Sequence, residues 1–178
     1  MTVPRLAFFT IGVLKAPWGS AKVEAFVDRV EMVFASAEAT PGFIARWDRE
    51  DPLDEREKWG SYTAPSLYSE TDPECVFSTL SLWEDMESVM AYSYRGTHGQ
   101  LLDYRESWFV QNDLPGFVAW WVEDGHCPTF EEACAAWVSL RDNGPSPQGF
   151  DFRRSFDPQG EPTRFDRSRF IEIGEKVP

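Results

Sequence analysis

The sequence predicts an α+β fold, because its strand and helix patterns follow one another in the order β-α-β-β-α-β-α. The second and third strands are consecutive, without a helix between them, so the sheet cannot be entirely parallel. A four-stranded antiparallel sheet with helices on one face accommodates this order, and that arrangement is ferredoxin-like. The 178 residues are enough for one domain, which buries roughly 70% of the surface of its unfolded chain.

The first strand, helix and second strand are predicted from apolar patterns. Residues 6–14 (LAFFTIGVL) are a continuous apolar run typical of a strand that is buried on both faces. Over residues 23–37, apolar side chains recur at intervals of three and four, which predicts an amphipathic helix. Residues 40–42 (TPG) end this helix, and residues 43–47 form a short second strand.

The remaining elements have clearer boundaries. Residues 76–83 (VFSTLSLW) predict the third strand, and helical sequence follows from residue 84 to about residue 110. Gly96 interrupts that region, and residues 97–100 (THGQ) resemble a capping box, so we expect a kinked or two-piece helix. Residues 116–122 (GFVAWWV) predict the fourth strand. A second capping box at residues 129–132 (TFEE) begins a last helix.

These elements place one domain over residues 1–154, with an insert at residues 48–74 and a polar tail at residues 155–178. The insert is long for a connection in a compact domain and contains Trp59, Tyr62 and Tyr68. It is either a mobile lid over a site or a family-specific insertion. We expect the tail to be partly ordered or to pack along the surface.

The strands are apolar on both faces, as the neighbouring pairs Phe8–Phe9 and Trp120–Trp121 show. Helices on one face of the sheet would leave the other face without a cover. A second copy of the same sheet would bury it. The sequence therefore predicts a homodimer.

The charge of the chain limits its partners. Thirty acidic residues against 17 basic ones give a net charge of −13, which repels nucleic-acid phosphates and anionic lipid headgroups. No stretch approaches the ~20 apolar residues of a membrane span, and the first residues do not resemble a secretion signal. We expect a cytoplasmic protein without nucleic-acid or membrane partners. Three cysteines without CxxC spacing are expected to be reduced thiols of the core.

Histidine is scarce in the chain. His98 and His126 are the only two, which argues against a multi-histidine metal site. Neither a glycine-rich phosphate loop nor a GxSxG nucleophile motif is present. We therefore expect chemistry that needs no metal, no nucleotide cofactor and no serine nucleophile.

The second helical region carries a mixed stripe of side chains with spacings of four, three, four and three: Tyr94, His98, Leu101, Arg105 and Trp108. All five share one face if the helix continues through Gly96. A buried Arg without a partner is costly, so this mixture indicates a pocket with polar groups at its edge.

The alternative interpretation is structural. Arg105 would then form an ion pair with Glu24, Asp28 or Glu106, and His98 would only complete the start of a helix.

In the functional interpretation, these residues form a catalytic site. His98 takes up and returns a proton near neutral pH. Arg105 stabilises an oxyanion, and Tyr94 donates a hydrogen bond to the same oxygen. Flat apolar walls would come from Trp108 or Trp121. Further candidates for substrate binding are Leu101, Phe9, Trp83 and His126.

The role of His126 has an alternative. It lies in residues 124–128 (DGHCP), where a turn residue that makes local hydrogen bonds is the simpler explanation.

Several motifs resemble a domain-of-unknown-function family of the dimeric α/β-barrel superfamily. They are residues 81–84 (SLWE), 94–98 (YRGTH), 105–109 (RESWF), 120–129 (WWVEDGHCPT) and 143–145 (NGP). The resemblance covers about residues 6–152 and implies a ferredoxin-like dimer. The insert and the tail lie outside it.

The superfamily includes cofactor-free monooxygenases of aromatic polyketides, lactone isomerases, polyketide cyclases and haem-binding enzymes, so membership does not determine the reaction. The leading hypothesis is a cofactor-independent enzyme of secondary metabolism that abstracts a proton from a hydrophobic cyclic substrate. Analogy with the superfamily favours a monooxygenase over an isomerase or cyclase. One alternative is a haem protein with His98 or His126 as its axial ligand. Another is a ligand carrier without catalysis.

Overall fold

The secondary structure comes from a computed structural model that describes residues 3–178, so the first two residues of the predicted domain lie outside the described residues. The strands are β1 (Arg5–Val13), β2 (Phe43–Arg46), β3 (Val76–Trp83), β4 (Phe117–Val122), β5 (Ser155–Phe156) and β6 (Pro162–Thr163). The helices are α1 (Glu24–Glu38), α2 (Leu53–Glu57), α3 (Met86–Tyr94), α4 (Gly96–Leu101), α5 (Arg105–Trp108), α6 (Phe130–Asn143) and α7 (Arg167–Gly174). None of the helices in the described residues is long and apolar enough to cross a membrane.

Strands β1 to β4 form one sheet with the order β2-β3-β1-β4. Every neighbouring pair is antiparallel, and Phe8 of β1 lies opposite both Ser81 of β3 and Ala119 of β4. This is the ferredoxin-like strand order. The predicted α+β fold is confirmed.

Local capping explains where two helices begin. The Asp85 side chain accepts a hydrogen bond from Ser88 N at the start of α3. At the start of α6, Thr129 and Glu132 form the capping box that the sequence predicts, with both reciprocal hydrogen bonds present. Because these bonds satisfy backbone N–H groups that have no partner inside the helix, the helix starts are defined locally.

Both faces of the sheet are covered within the chain. Ala7, Phe9 and Ile11 of β1 lie in a core cluster with α6, whose Phe130 and Trp137 are fully buried. Leu6 and Phe8 point to the opposite face, where α1 and α3 pack. Helices therefore lie on both faces of the sheet, which corrects the expectation that helices cover only one face. The homodimer stays a prediction, but the sheet face that a second copy was expected to bury is already covered within the chain.

The insert contributes to the core on the α6 face. Trp59 and Tyr68 are only 5% and 7% exposed and belong to the α6 cluster. The Trp59 carbonyl also accepts a hydrogen bond from Phe130 N, at 2.9 Å. The middle of the insert is thus packed as part of the second layer, and its interpretation as a mobile lid stays a prediction.

The polar tail packs along the helices of the other face. Strands β5 and β6 pair with each other, and α7 lies against α3 with its Ile173 buried. Arg169 of α7 forms an ion pair with Asp85. At the end of the described chain, the Pro178 carbonyl accepts hydrogen bonds from Thr97 N (2.8 Å) and Ser36 Oγ (3.2 Å).

The second helical region is bent where the sequence contains Gly96. Helix α3 ends at Tyr94, Arg95 is extended, and Gly96 has a φ of +55°. No side chain caps α4, so the capping box expected at residues 97–100 does not form. The helix that carries Tyr94 to Trp108 is consequently not continuous.

We expect Gly96→Ala to lower the free energy of unfolding by about 1–3 kcal/mol. A Cβ at this position would overlap the Pro178 carbonyl oxygen, on backbone that is already left-handed. Gly125→Ala is the matched control, because Gly125 has a φ of +82° but no atom within 4 Å of the point that a Cβ would occupy. Urea denaturation of both variants tests this, and equal losses would contradict a tight contact between the tail and the bend.

Candidate functional site

A cavity of about 750 Å³ lies between the sheet and the helices of the α1 face. We call it the α1–α4 cavity. Its floor is formed by strands β1, β3 and β4, through residues that include Phe8, Thr10, Gly12, Phe77, Thr79 and Phe117. Its walls come from α1, α4 and α5, through residues that include Phe26, Val30, Val33, His98, Leu101 and Arg105.

One end of the cavity is aromatic. Phe26 of α1 lies with its ring centre 5.0 Å from those of Phe77 and Phe109, both edge to face, and 5.7 Å from that of Trp108. A Cβ on Gly12 would come within 2.7 Å of Phe109, so the lack of a side chain at Gly12 lets this ring lie on the strand. Aromatic rings that pack against one another in this way form a rigid apolar wall.

A second aromatic group borders the cavity beside β4. Phe117 lies 4.6 Å from Phe152 and 5.4 Å from Phe8, measured between ring centres. Tyr94 lies edge-on to Phe152 at 6.1 Å. With two aromatic walls, the cavity suits a flat apolar guest.

His98 lines the cavity where the α3–α4 bend turns back towards the sheet. Its Nδ1 lies 2.9 Å from the carbonyl oxygen of Ser93, in the last turn of α3. Helix carbonyls in that turn have no partner inside the helix. Because a carbonyl only accepts, Nδ1 carries the proton and Nε2 keeps a lone pair.

Burial lowers the pKa of His98 and outweighs the hydrogen bond to Ser93, which acts in the opposite direction. The imidazole is therefore neutral at pH 7. A neutral imidazole with a free Nε2 is the form that accepts a proton or binds a metal.

Tyr92 is a residue that the sequence interpretation missed. Its ring centre lies 4.8 Å from that of His98 and 5.3 Å from that of Trp83, and it lines the same cavity. The bend at Gly96 is the reason: it directs His98 towards Tyr92 and leaves Tyr94 at the rim. A helical wheel restarted at residue 86 would have found Tyr92, one turn after the buried Val89.

Arg105 and Tyr94 lie at the rim of the cavity. Tyr94 is 48% exposed, and Arg105 is also exposed. A Cβ on Gly116 would lie 3.2 Å from Arg105 Nη2, so the guanidinium rests on the backbone before β4. No carboxylate of the described residues lies within ion-pair distance of this guanidinium. The ion pair with Glu24, Asp28 or Glu106 is thus not formed.

Arg46, the last residue of β2, also lines the cavity. Arg46 Nε donates to Glu38 at 2.9 Å, and the guanidinium also pairs with Asp48. Its carbon Cζ lies 4.0 Å from the centre of the Phe34 ring. These contacts hold Arg46 in place. Its positive charge therefore lies in the cavity wall while it stays paired with Glu38 and Asp48.

Three predicted site residues lie outside the cavity. Phe9 points to the α6 face, because side chains alternate along a strand and Phe8 occupies the cavity side. Trp121 donates its indole N–H to the Phe156 carbonyl at 2.7 Å. His126 Nε2 lies 2.9 Å from the Glu132 carboxylate, a local contact at the start of α6. The other substrate-binding candidates, Leu101, Trp83 and Trp108, line the cavity.

No group of three or more His, Cys, Asp or Glu side chains in residues 3–178 could hold a metal ion. Cys75, Cys127 and Cys134 are free and partly buried. Burial raises the pKa of the Cys127 and Cys134 thiols to about 11, so they stay protonated at neutral pH.

Only one of the two histidines is placed so that it could serve as an axial haem ligand. His126 is exposed, and its Nε2 is occupied by Glu132. His98 donates through Nδ1 to a backbone carbonyl and retains a free Nε2 beside a large apolar cavity. A histidine ligand is commonly oriented by such a hydrogen bond on its other nitrogen.

A family model matches residues 5–166 of the chain, and its description is Domain of unknown function (DUF3291). The chain belongs to this family. The DUF3291 match includes every residue that lines the α1–α4 cavity, whereas α7 lies beyond it. The predicted membership of a domain-of-unknown-function family is confirmed, and the sheet is consistent with the ferredoxin-like superfamily. No curated protein and no solved structure matches this DUF3291 chain.

The lowered pKa of His98 predicts a pH-dependent stability in this DUF3291 protein. The unfolded imidazole binds a proton near its ordinary value of 6.5, and the folded one does so only at lower pH. Stability contributed by neutral His98 is therefore complete above pH 6.5 and is lost as the pH falls through the folded pKa. The wild type should lose stability relative to His98→Gln below pH 6.5, measured by urea denaturation between pH 5 and 8. A difference that does not change with pH would contradict the buried, neutral imidazole.

Proposed function

We propose that this protein binds a flat, hydrophobic cyclic small molecule in the α1–α4 cavity and removes a proton from it with His98. One observation carries the proposal: the tautomer held by Ser93 leaves the Nε2 lone pair of a neutral imidazole beside an aromatic cavity. A neutral imidazole with an unprotonated Nε2 can accept a proton from a bound guest.

The cavity supports the choice of guest. Its volume of about 750 Å³ lies within the roughly 300–1,000 Å³ of small-molecule sites. Aromatic side chains line both ends of its floor, at Phe77 and at Phe117. Ring-shaped apolar guests bury the most surface against such walls.

The proposed chemistry begins with a proton on a carbon next to a ring carbonyl. His98 Nε2 takes this proton, and the electrons of the C–H bond move to the carbonyl oxygen as an enolate. In a ring that also carries a β,γ double bond, return of the same proton to the γ-carbon moves the double bond into conjugation with the carbonyl and completes an isomerisation that needs no other reactant. Addition of O₂ to the enolate carbon, followed by the same proton, yields a hydroperoxide and begins a monooxygenase reaction. An oxygen electrode distinguishes these two outcomes.

Arg105 has a role at the rim in this proposal. Its guanidinium has no carboxylate partner among the described residues and borders the cavity entrance near Gly116. A cation there is suited to hold an anionic substituent at the outer end of the guest. No metal or other cofactor is required for these steps.

Haem binding is the second candidate, and the free Nε2 of His98 favours it. His98 would supply the single axial ligand, and haem bound there would supply redox-active iron. Titration with haemin separates the two candidates. A Soret band that forms in the wild type, persists in His126→Ala and is lost in His98→Ala supports the haem protein, and its absence in the wild type removes this candidate.

The proposed reaction is tested with 1-tetralone and 1-indanone, two bicyclic aromatic ketones with exchangeable protons next to the carbonyl. Each is incubated in D₂O with the protein, and proton NMR follows deuterium incorporation at the α-carbon. We expect exchange faster than in buffer alone. Binding of both ketones without faster exchange would indicate a carrier, and no binding of either would contradict the proposed guest.

A further inference from the structure

Tyr92 has a polar group without a protein partner. The side chain is 9% exposed and lines the α1–α4 cavity. Its hydroxyl makes no hydrogen bond to the described residues, although it is not among their fully enclosed unpaired atoms, which belong to Ser20, Arg56 and Ser146. A hydroxyl that is nearly buried and unpaired is costly. The cavity is the space through which this hydroxyl can reach an acceptor.

The Tyr92 ring is held on both sides. Trp83 is stacked on it at 5.3 Å with an interplanar angle of 26°, and His98 lies 4.8 Å away. Trp83 is fixed in turn, because its indole N–H donates to Ser81 Oγ at 2.9 Å. The direction of the Tyr92 hydroxyl is therefore set before any guest enters, as in a preorganised site.

The electrostatic surroundings of Tyr92 favour its hydroxyl as a hydrogen-bond donor to an anionic oxygen. Burial raises the pKa of Tyr92 far above its ordinary value, so the hydroxyl keeps its proton. The positive charge of Arg46 lies near enough to oppose this shift. Arg46 stays with Glu38 and Asp48, so Tyr92 is a neutral donor available to the guest.

We propose that Tyr92 donates a hydrogen bond to the substrate oxygen that becomes negative when His98 removes the proton. This inference rests on the proposed function. It gives Tyr92 the donor role that the sequence predicted for Tyr94, which lies at the rim. It also restricts the substrate class. The guest carries a ring carbonyl next to the carbon that His98 deprotonates. The proton moves from that carbon to His98 Nε2, and Tyr92 keeps its own proton throughout.

A pair of probes tests this role without turnover. 2-Naphthol resembles the enol, because its oxygen can accept from Tyr92 while its O–H donates to His98 Nε2. Naphthalene has the same skeleton without the oxygen. Equilibrium dialysis gives the dissociation constants of both probes for the wild type, for Tyr92→Phe and for the control Tyr68→Phe, which alters a buried tyrosine of the α6 cluster that does not line the cavity.

We expect Tyr92→Phe to weaken 2-naphthol binding about 10-fold, which corresponds to one well-formed hydrogen bond, and to leave naphthalene binding unchanged. Tyr68→Phe should change neither. Equal effects of Tyr92→Phe on both probes, or no effect on 2-naphthol, would overturn the inference and leave the proposed function standing. Failure of the wild type to bind either probe would instead overturn the proposed function.

The wild type alone provides a second test, should Tyr92→Phe fold poorly. If the donor and base are fixed, the dissociation constant of naphthalene divided by that of 2-naphthol should exceed the ratio that their octanol–water partition coefficients predict. A ratio equal to that prediction would contradict the role of Tyr92.

Discussion

Replacing His98 by alanine is expected to abolish the protein-catalysed deuterium exchange of 1-tetralone, a loss of about 10²- to 10⁴-fold. The variant lacks the only imidazole that lines the cavity within the described residues. Removal of a partly buried ring creates space and does not block the site, so the ketone should still bind. Proton NMR in D₂O measures the exchange, and equilibrium dialysis measures the binding.

His126→Ala is the matched control for this prediction. The chain has only these two histidines, and His126 lies outside the cavity beside Glu132. Its replacement should leave the exchange rate within twofold of the wild type. Full exchange activity in His98→Ala would remove His98 from the mechanism, whatever the control shows.

Replacing Trp59 by alanine is expected to lower the free energy of unfolding by about 3–5 kcal/mol, the range for large aromatic residues in cores. Trp59 belongs to the α6 cluster although it lies in a long polar insert. The loss combines the transfer of a large apolar side chain with the cavity left beneath the insert. Urea denaturation, with the transition midpoint and slope fitted together, measures the change.

Leu53→Ala provides the control from the same insert. Leu53 is 61% exposed, so its replacement should change stability by less than about 0.5 kcal/mol. Equal effects of the two substitutions, or a Trp59→Ala variant as stable as the wild type, would mean that the insert does not cover the sheet.

The homodimer prediction is tested separately by sedimentation equilibrium, in which a monomer throughout the micromolar range would contradict it.

Elements with local signals were predictable from the sequence. The capping box of α6 depends on Thr129 and Glu132, which are three residues apart, and both partners are visible in the sequence. The strand pattern of β1 and β3 is equally local, and the antiparallel sheet followed from the absence of a helix between strands two and three. His98 and Arg105 stood out because polar side chains interrupt an apolar helical pattern.

The sequence predicted an interruption at Gly96, but not which tyrosine this interruption places beside His98. The assumption that the helix continues through Gly96 placed Tyr94 beside His98, whereas the bend at Arg95 and Gly96 places Tyr92 there. Contacts between Gly96, Thr97 and Pro178 accompany this bend. Such a contact joins residues far apart in the chain, and no local periodicity reports it.

The order of the elements, the start of α6 and the segment that carries His98 were determined by the sequence alone, because each depends on residues within a few positions of one another. The tertiary structure decided that α6 and Trp59 cover the second face of the sheet, that Phe9 turns away from the cavity, and that Tyr92 lies beside His98. These features depend on which distant surfaces pack together. Packing is a property of shape and burial in three dimensions, and hydrophobic pattern along one chain segment does not specify its partner.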